Sequence, residues 1–382
     1  MNICAIIAEY NPFHNGHLKQ IDYVKNVLKA DKIIVIMSGN FTQRGEGAVL
    51  DKYTRAKHAI LGGADMVIEL PTVFATSNAE LFGKGAVKII EDLGIINTLC
   101  FGVESGKKED FIKLATILNN ESKEFKALIK KELDSGLSFV KAKTNAIKTL
   151  YQIDESFVSS PNNVLGIEYT RALLKLKSKI EIAPMLRKGD HNDKKLYKKI
   201  TSASSIRENL GKKKVKSVVP SFVYKDLKPL KNFDKILLSK ILTTDTEKLS
   251  KVLDCTEGLE NRIKSLTKES YSVKSLVEKV ATKRYTEARI RRIFVQNSLN
   301  IEQKLITNSL KQTLYAKVLA TSDNELLSLI TKNGKIPLII RKSDYSLLSD
   351  YAKKVFDIDI LAGDIYGLVD ENKQNEFYTL MI

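Results

Sequence analysis

The sequence predicts a Rossmann-like parallel α/β sheet in its first half, followed by a mainly helical, basic region that ends in a small α/β element. Three observations predict it. Short apolar runs without polar alternation, NICAIIA (2–8), KIIVIM (32–37), MVIEL (66–70) and TLCFG (98–102), are separated by stretches of helical period, the pattern of strands covered on both faces by crossover helices. A polar turn containing Pro12 and Gly16 follows the first run directly. From residue 216 to about 330 the β pattern gives way to amphipathic, Lys- and Arg-rich sequence.

Taken in order, a helix within Asn15–Ala30 joins the first two strands into a β-α-β unit, and helices over Lys52–Leu61 and Asn78–Leu93 lead into the third and fourth. Residues 108–153 are Lys/Glu-rich with a helical period, SSPNNVLGIEYTRALL (159–174) reads as a turn-rich element, and IEIAPML (180–186) reads as a further strand. SASSIRENL (202–210) reads as a helix start with Ser202 or Ser204 as N-cap, because a hydroxyl there satisfies an unpaired backbone N–H. The first domain, residues 1–215, closes here, and residues 216–382 form the second region. That region includes the helical stretches LENRIKSLTKES and SLVEKVATKRYTEARIRRIFVQNSL, and its last piece, KIPLIIRKSDYSLLSDYAKKVFDIDILAGDIYGLV, reads as strand, helix, strand.

A chain of 382 residues buries a full core and has room for two domains. Its net charge of +17 favours a polyanionic partner such as RNA, DNA or an anionic surface, although a generally lysine-rich composition produces the same excess. No apolar run approaches the roughly 20 residues of a membrane-spanning helix. Glu9 also interrupts the first run before it reaches the length of a signal-peptide core, so the protein is read as cytoplasmic, without a membrane partner. Cys4, Cys100 and Cys255 are far apart and without metal-ligand spacing, and read as buried thiols.

Two of the four histidines, His14 and His17, stand three residues apart where the first strand hands over to the first helix. That spacing lets both imidazoles address one ligand. The unpaired N–H groups of the helix start make the turn an anion site, Gly16 removes a side chain where phosphate must approach, and Pro12 sets the entering backbone. Together they would cradle a triphosphate, with the imidazoles stabilising charge at the α-phosphorus. The plainer alternative is a surface or metal-binding pair; a metal would need a further ligand such as His58, His191 or a carboxylate, and no metal site is assigned.

HNGH after an apolar strand resembles the HxGH signature of the superfamily that includes nucleotidyltransferases and class I aminoacyl-tRNA synthetases. Its second signature, S-S-T-x-I-R, is similar to Ser202-Ala203-Ser204-Ser205-Ile206-Arg207, with Ala203 departing from the pattern. AEYNPFHNGH, MSGNFTQRGEGAV (37–49), ADMVIELP (64–71), PNNVLGIEY (161–169), EGLENRI (257–263) and TKRYTEARIRR (282–292) together resemble the bacterial tRNA(Met) cytidine acetate ligase family over nearly the whole chain. The resemblance implies an enzyme that uses ATP and acetate to acetylate N4 of the wobble cytidine of elongator tRNA(Met) through an acetyl-adenylate.

Carried over onto this sequence, it implies His14 and His17 as catalytic residues. It implies an ATP site of Ile7, Ala8, Glu9, Tyr10, Asn11, Pro12, Phe13, His14, Asn15, Gly16, His17, Leu18, Lys19 and Gln20, with Gly102, Asn162 and Arg187, and Ser202, Ser204 and Arg207 on the departing phosphates. Mg²⁺ would accompany the nucleotide. Each peripheral residue also has a plain reading: Gly102 as a turn glycine, Asn162 and Asn163 as turn formers after Pro161, Arg187 as a surface cation. His191 is a further candidate, and Ser38, Gly39, Gln43 and Arg44 form a polar loop suited to substrate. Lys283, Arg284, Arg289, Arg291 and Arg292, with Tyr285 among them, are the candidate tRNA-binding cluster on helical sequence, or a solvated face relieved by Glu278 and Glu287. Two rivals are a cofactor-type adenylyltransferase acting on nicotinamide mononucleotide or phosphopantetheine, which would not need residues 216–382, and a non-catalytic RNA-binding protein.

Overall fold

The computed structural model describes residues 1–187 and 201–382; His191 lies outside the described residues. The chain opens with β1 (Ile3–Ala8), α1 (Asn15–Asn26), β2 (Lys32–Ser38), α2 (Lys52–Leu61), β3 (Met66–Leu70), α3 (Thr72–Ala75), α4 (Ala79–Asp92) and β4 (Thr98–Val103). It continues through α5 (Lys108–Asn119), α6 (Lys123–Asp134), α7 (Phe139–Tyr151), α8 (Glu155–Ser159), α9 (Pro161–Lys175), β5 (Glu181–Leu186) and α10 (Ala203–Glu208). The remainder holds α11 (Ser221–Tyr224), α12 (Asp234–Thr243), α13 (Thr246–Leu249), α14 (Leu259–Thr267), α15 (Val273–Val280), α16 (Glu287–Ser298), α17 (Gln303–Ser309), β6 (Ala316–Thr321), α18 (Asn324–Asn333), β7 (Leu338–Ile339), α19 (Asp350–Asp370) and β8 (Leu380–Met381).

The strands lie in one sheet of order β5-β4-β1-β2-β3-β6-β7, with β8 against β6. The expected parallel core is present: β1 pairs in parallel with β2 and β4, β2 with β3, and β4 with β5. Its strands are mostly apolar because both faces are covered. Ile34 and Ile36 enter one core with Phe82, Ile89 and Leu173, whereas Ile33, Val35 and Met37 enter the opposite core with Ile21, Val24 and Ala59. The order reverses between β1 and β4. This is the topological switch point, where a crevice opens beyond the strands' carboxyl ends.

The C-terminal α/β piece is built onto this same sheet, with β6 antiparallel to β3. Three sequence expectations change. Residues 316–321, read as helical, form a fully buried strand whose AKVLAT pattern is completed by pairing with β3. The end of the piece read as strand, helix, strand stays helical as α19 through Asp370, with Asp359 satisfied inside the protein by the Thr72 N–H at 2.8 Å and the Tyr315 hydroxyl at 2.6 Å. The turn-rich segment at 159–174 is α9, with Pro161 in its first turn, where a missing N–H costs nothing.

A buried charged seam locks the two halves together. Lys52 reaches both oxygens of Glu69 at 2.9 and 2.7 Å and also contacts Glu376 near the C-terminus. Burial and the Glu69 charge push the Asp359 carboxyl up to about 7, and burial does the same for Glu376. Cys4, Cys100 and Cys255 are buried and free. Among the described residues no helix is long and apolar enough to cross a membrane.

Candidate active site

A cavity of about 350 Å³ opens at the β1/β4 switch point. Of the segment Ile7–Gln20, Ile7, Ala8, Glu9, Tyr10, Asn11, His14, His17 and Gln20 line it. The others shape it from outside. Pro12 follows a cis peptide bond. Phe13 lies in the core with its ring against Tyr10 and His17. Asn15 ties its N–H to the Val218 carbonyl at 3.1 Å, Leu18 packs on the α1-side core, and Lys19 is exposed. Gly16 serves through its backbone.

His14 is the N-cap of α1. Its Nδ1 accepts the Gly16 N–H at 3.0 Å, and the Nδ1 of His17 accepts the His14 N–H at 3.2 Å. This reciprocal box, built from imidazoles where Ser and Glu are usual, answers why the pair is spaced as it is. Acceptance at Nδ1 places the ring proton on Nε2, so both rings are neutral donors from that nitrogen. The rings stack with centroids 3.7 Å apart. Burial, the neighbouring His14 and the Arg187 cation hold His17 well below the ordinary histidine range. Tyr10 stands at φ +47° with a buried hydroxyl that has no partner among the described residues, beside the cavity it lines.

On the β4 side, Gly102, Asn162 and Arg187 all line the cavity. A Cβ on Gly102 would stand 2.9 Å from Arg187 Cδ, so the arginine side chain lies across the glycine. The Arg187 Nη1 donates to Asn162 Oδ1 at 3.4 Å, and burial lowers the Arg187 pKa from its usual value. Asn163 does not reach the cavity; its amide donates to the Ser105 and Phe157 carbonyls at 3.2 and 3.0 Å.

Ser202, Ser204 and Arg207 line the third side. Of the two possible caps the structure uses Ser202, whose Oγ accepts the Ser205 N–H at 3.1 Å. The Ser204 hydroxyl accepts from Arg207 at 3.3 Å, and Arg207 also donates to the Asn11 carbonyl at 2.8 Å. Both signatures therefore meet across one cavity.

The loop after β2 joins them. Arg55, fully buried, donates to the Glu9 and Ser38 carbonyls at 2.7 and 3.0 Å and contacts Gly39, holding the loop from below. Gln43 donates its N–H to Glu9 Oε1 at 2.8 Å, and Gln43 and Arg44 line the cavity; Ser38 and Gly39 do not. Glu46 lies 3.9 Å from Arg207 and 3.8 Å from Arg291, between the cavity and α16. Sequence reasoning missed the apolar wall formed by Phe82, Phe101, Leu165 and Tyr169, because those residues carry no chemistry that distinguishes them from core.

The basic cluster divides. Residues 282–286 form a break between α15 and α16 instead of helix, with Thr286 capping α16. Lys283 and Arg284 are exposed, Arg284 pairing with Glu257 at 2.7 Å. Arg289 donates to the Asp254 carbonyl at 2.8 Å and stacks over Tyr285 at 5.0 Å. Arg291 pairs with Glu287 at 3.4 Å as well as facing Glu46, and Arg292 turns inward to Asp254 at 3.8 Å, its pKa lowered by burial.

A Rossmann-like sheet whose strand-to-helix corner presents HxGH and whose later helix start presents Ser and Arg to the same crevice is the architecture of a nucleotidyltransferase. The family model described as HIGH Nucleotidyl Transferase matches residues 1–379. The chain is 34% identical to the tRNA(Met) cytidine acetate ligase of Alkaliphilus metalliredigens, covering 97% of this chain and 95% of that protein. It is 36% identical to the protein of the same name from Acetivibrio thermocellus, covering 97% and 96%. Crystal structures of Thermotoga maritima TmcAL superpose with a TM-score of 0.93 for an apo form (29% identity, 100% of both chains) and 0.90 for a form bound with alpha-thio ATP (30% identity, 98% of this chain and 97% of that one). The chain belongs to the HIGH nucleotidyltransferase family and, within it, to the tRNA(Met) cytidine acetate ligases.

Proposed function

We propose that this protein is an ATP-dependent ligase that joins acetate to N4 of the wobble cytidine of elongator tRNA(Met) through an acetyl-adenylate. The observation that carries this is the convergence of the stacked His14/His17 pair and the Ser204/Arg207 pair on one cavity at the switch point. Two neutral donors face a cation across a space sized for a small-molecule ligand. The alpha-thio ATP complex of the Thermotoga maritima relative supports a nucleotide ligand for this fold.

In the first step an acetate oxygen attacks the α-phosphorus, the bond to the bridging oxygen of the β-phosphate breaks, and pyrophosphate leaves. His14 and His17 donate from Nε2 to the oxygens on which charge builds, and Arg207 with Ser204 receives the departing pyrophosphate. In the second step the cytidine N4 attacks the acetyl carbon, AMP leaves with the bonding pair, and a proton from N4 passes to solvent. A wobble base is unpaired in its loop, so bringing it to the cavity costs little. Lys283 and Arg284 are the cations placed to meet RNA phosphates. Among the described residues no group of three His, Cys, Asp or Glu side chains gathers to hold a metal. Mg²⁺ bound with the nucleotide would neutralise charge on its phosphates.

Incubation with labelled acetate, ATP and bulk tRNA tests the reading. Label recovered in N4-acetylcytidine supports it. A dinucleotide product formed from nicotinamide mononucleotide or phosphopantetheine, or binding of tRNA without any product, overturns it.

A further inference from the structure

Glu104 is the first residue after β4 and does not line the cavity, yet it organises two residues beside it, Asn162 in the lining and Asn163 behind it. Its Oε1 accepts the Asn162 side-chain amide at 2.6 Å and the Asn162 backbone N–H at 3.4 Å, and its Oε2 accepts the Asn163 N–H at 3.2 Å. Its own N–H donates to Asn163 Oδ1 at 3.0 Å. The N-cap residue of α9, Ser160, makes no side-chain cap bond, so the unpaired N–H groups of that helix are met by a carboxylate from another element.

An amide has one donor end and one acceptor end. With Nδ2 of Asn162 tied to the Glu104 carboxylate, Oδ1 is turned toward Arg187, which donates to it at 3.4 Å. Arg187 in turn lies over Gly102 and close enough to His17 to depress its protonation. The chain Glu104–Asn162–Arg187 thus fixes the polarity of this side of the cavity.

We propose that Glu104 is a positioning residue for the nucleotide: it orients Asn162 so that Oδ1 accepts a hydrogen bond from a donor group of the bound ligand, a ribose hydroxyl or an exocyclic amine, with Arg187 held beside it. This deepens the function proposed above and rests on the nucleotide occupying this cavity.

The test is a polarity swap. Glu104→Gln is expected to weaken binding of a non-hydrolysable ATP analogue by about tenfold or more, because only one of its two terminal atoms can then accept, which sets an NH₂ group against an N–H of Asn162 or Asn163. Asn162→Asp sets two carboxylates against each other and is expected to lose at least as much. When both substitutions are combined, the amide introduced at position 104 would donate to the carboxylate introduced at position 162, whose other oxygen still accepts from Arg187. Binding by this double variant is expected to return to within about threefold of wild type. A helix-capping role alone would move the melting midpoint and leave nucleotide affinity untouched. Wild-type affinity in Glu104→Gln, or a double variant weaker than either single one, overturns the proposal. Should the wild-type protein bind the analogue yet form no acetylcytidine, the ligase reading falls while the affinity pattern still decides the role of Glu104; should it bind no nucleotide, both fall.

Discussion

The imidazoles of His14 and His17 stack 3.7 Å apart, each occupied at Nδ1 by a backbone N–H. A proton added at Nδ1 would displace a helix-entry hydrogen bond and place a cation against its neighbour. His17, held below its usual range by burial, by His14 and by Arg187, is accordingly neutral, with its ring proton on Nε2. Its folded pKa lies below the unfolded value of about 6.5, so its contribution to stability is present above that pH and is lost as pH falls toward the folded value. ATP–pyrophosphate exchange measured from pH 8 downward should therefore hold its rate through about pH 6.5 as far as His17 is concerned. A rate that instead rises on acidification through that pH would mean that imidazolium is the active form.

The cap and the chemistry of His14 are separable. Asparagine is a good N-cap and retains a side-chain oxygen for the Gly16 N–H, but it lacks a donor at the position of Nε2. His14→Asn should keep the thermal midpoint near wild type while pyrophosphate exchange falls by about a hundredfold or more, the usual effect of removing a transition-state donor. His17→Ala should lose as much activity. In both, tRNA retention on filters should persist.

Gly45 is at φ +72°, and a Cβ there would lie 2.3 Å from the Arg292 nitrogen. Backbone cannot yield as a side chain can. Gly45→Ala should destabilise the protein by about 2 kcal/mol or more in urea unfolding. It should also raise KM for the substrates, since Gln43 and Arg44 of the same loop line the cavity.

Lys52 neutralises Glu69 and Glu376 where all three side chains are buried. Lys52→Met would leave two carboxylates without a cation, at a cost of about 3–5 kcal/mol. Adding Glu376→Gln should recover part of that loss, and urea midpoints for the single and double variants measure both.

The arginines of the basic cluster have different duties. Lys283→Ala and Arg284→Ala should each weaken tRNA binding and flatten its dependence on log[salt] by roughly 0.7–0.9. Arg292→Ala should mainly lower stability, because its guanidinium faces Asp254 and the loop.

The corner at His14–His17 was readable from sequence because everything that forms it is local: an apolar strand, a turn and a helix start within a few residues. The helix start at Ser202 was readable for the same reason, through its capping hydroxyl. The strand at 316–321 was not, because AKVLAT acquires its role from β3, far away in sequence. The helical nature of PNNVLGIEY was hidden by Pro161 and two asparagines, residues that favour turns as much as first helical turns. Glu104 carried no local signal, since its partners at 162 and 163 lie across the fold. The inward turn of Arg292 was equally invisible, for sequence records a charge and not the side it faces.

The antiparallel pairing of β6 with β3 also bears on how the chain is made. During synthesis β3 emerges early with one flank uncovered, and its complement follows only after roughly two hundred and fifty further residues, with Glu376 later still. An unpaired, mostly apolar edge invites association with other nascent chains. Premature termination shortly before residue 316 should therefore yield aggregates and not a soluble half-enzyme, because a strand made late covers one that folds early.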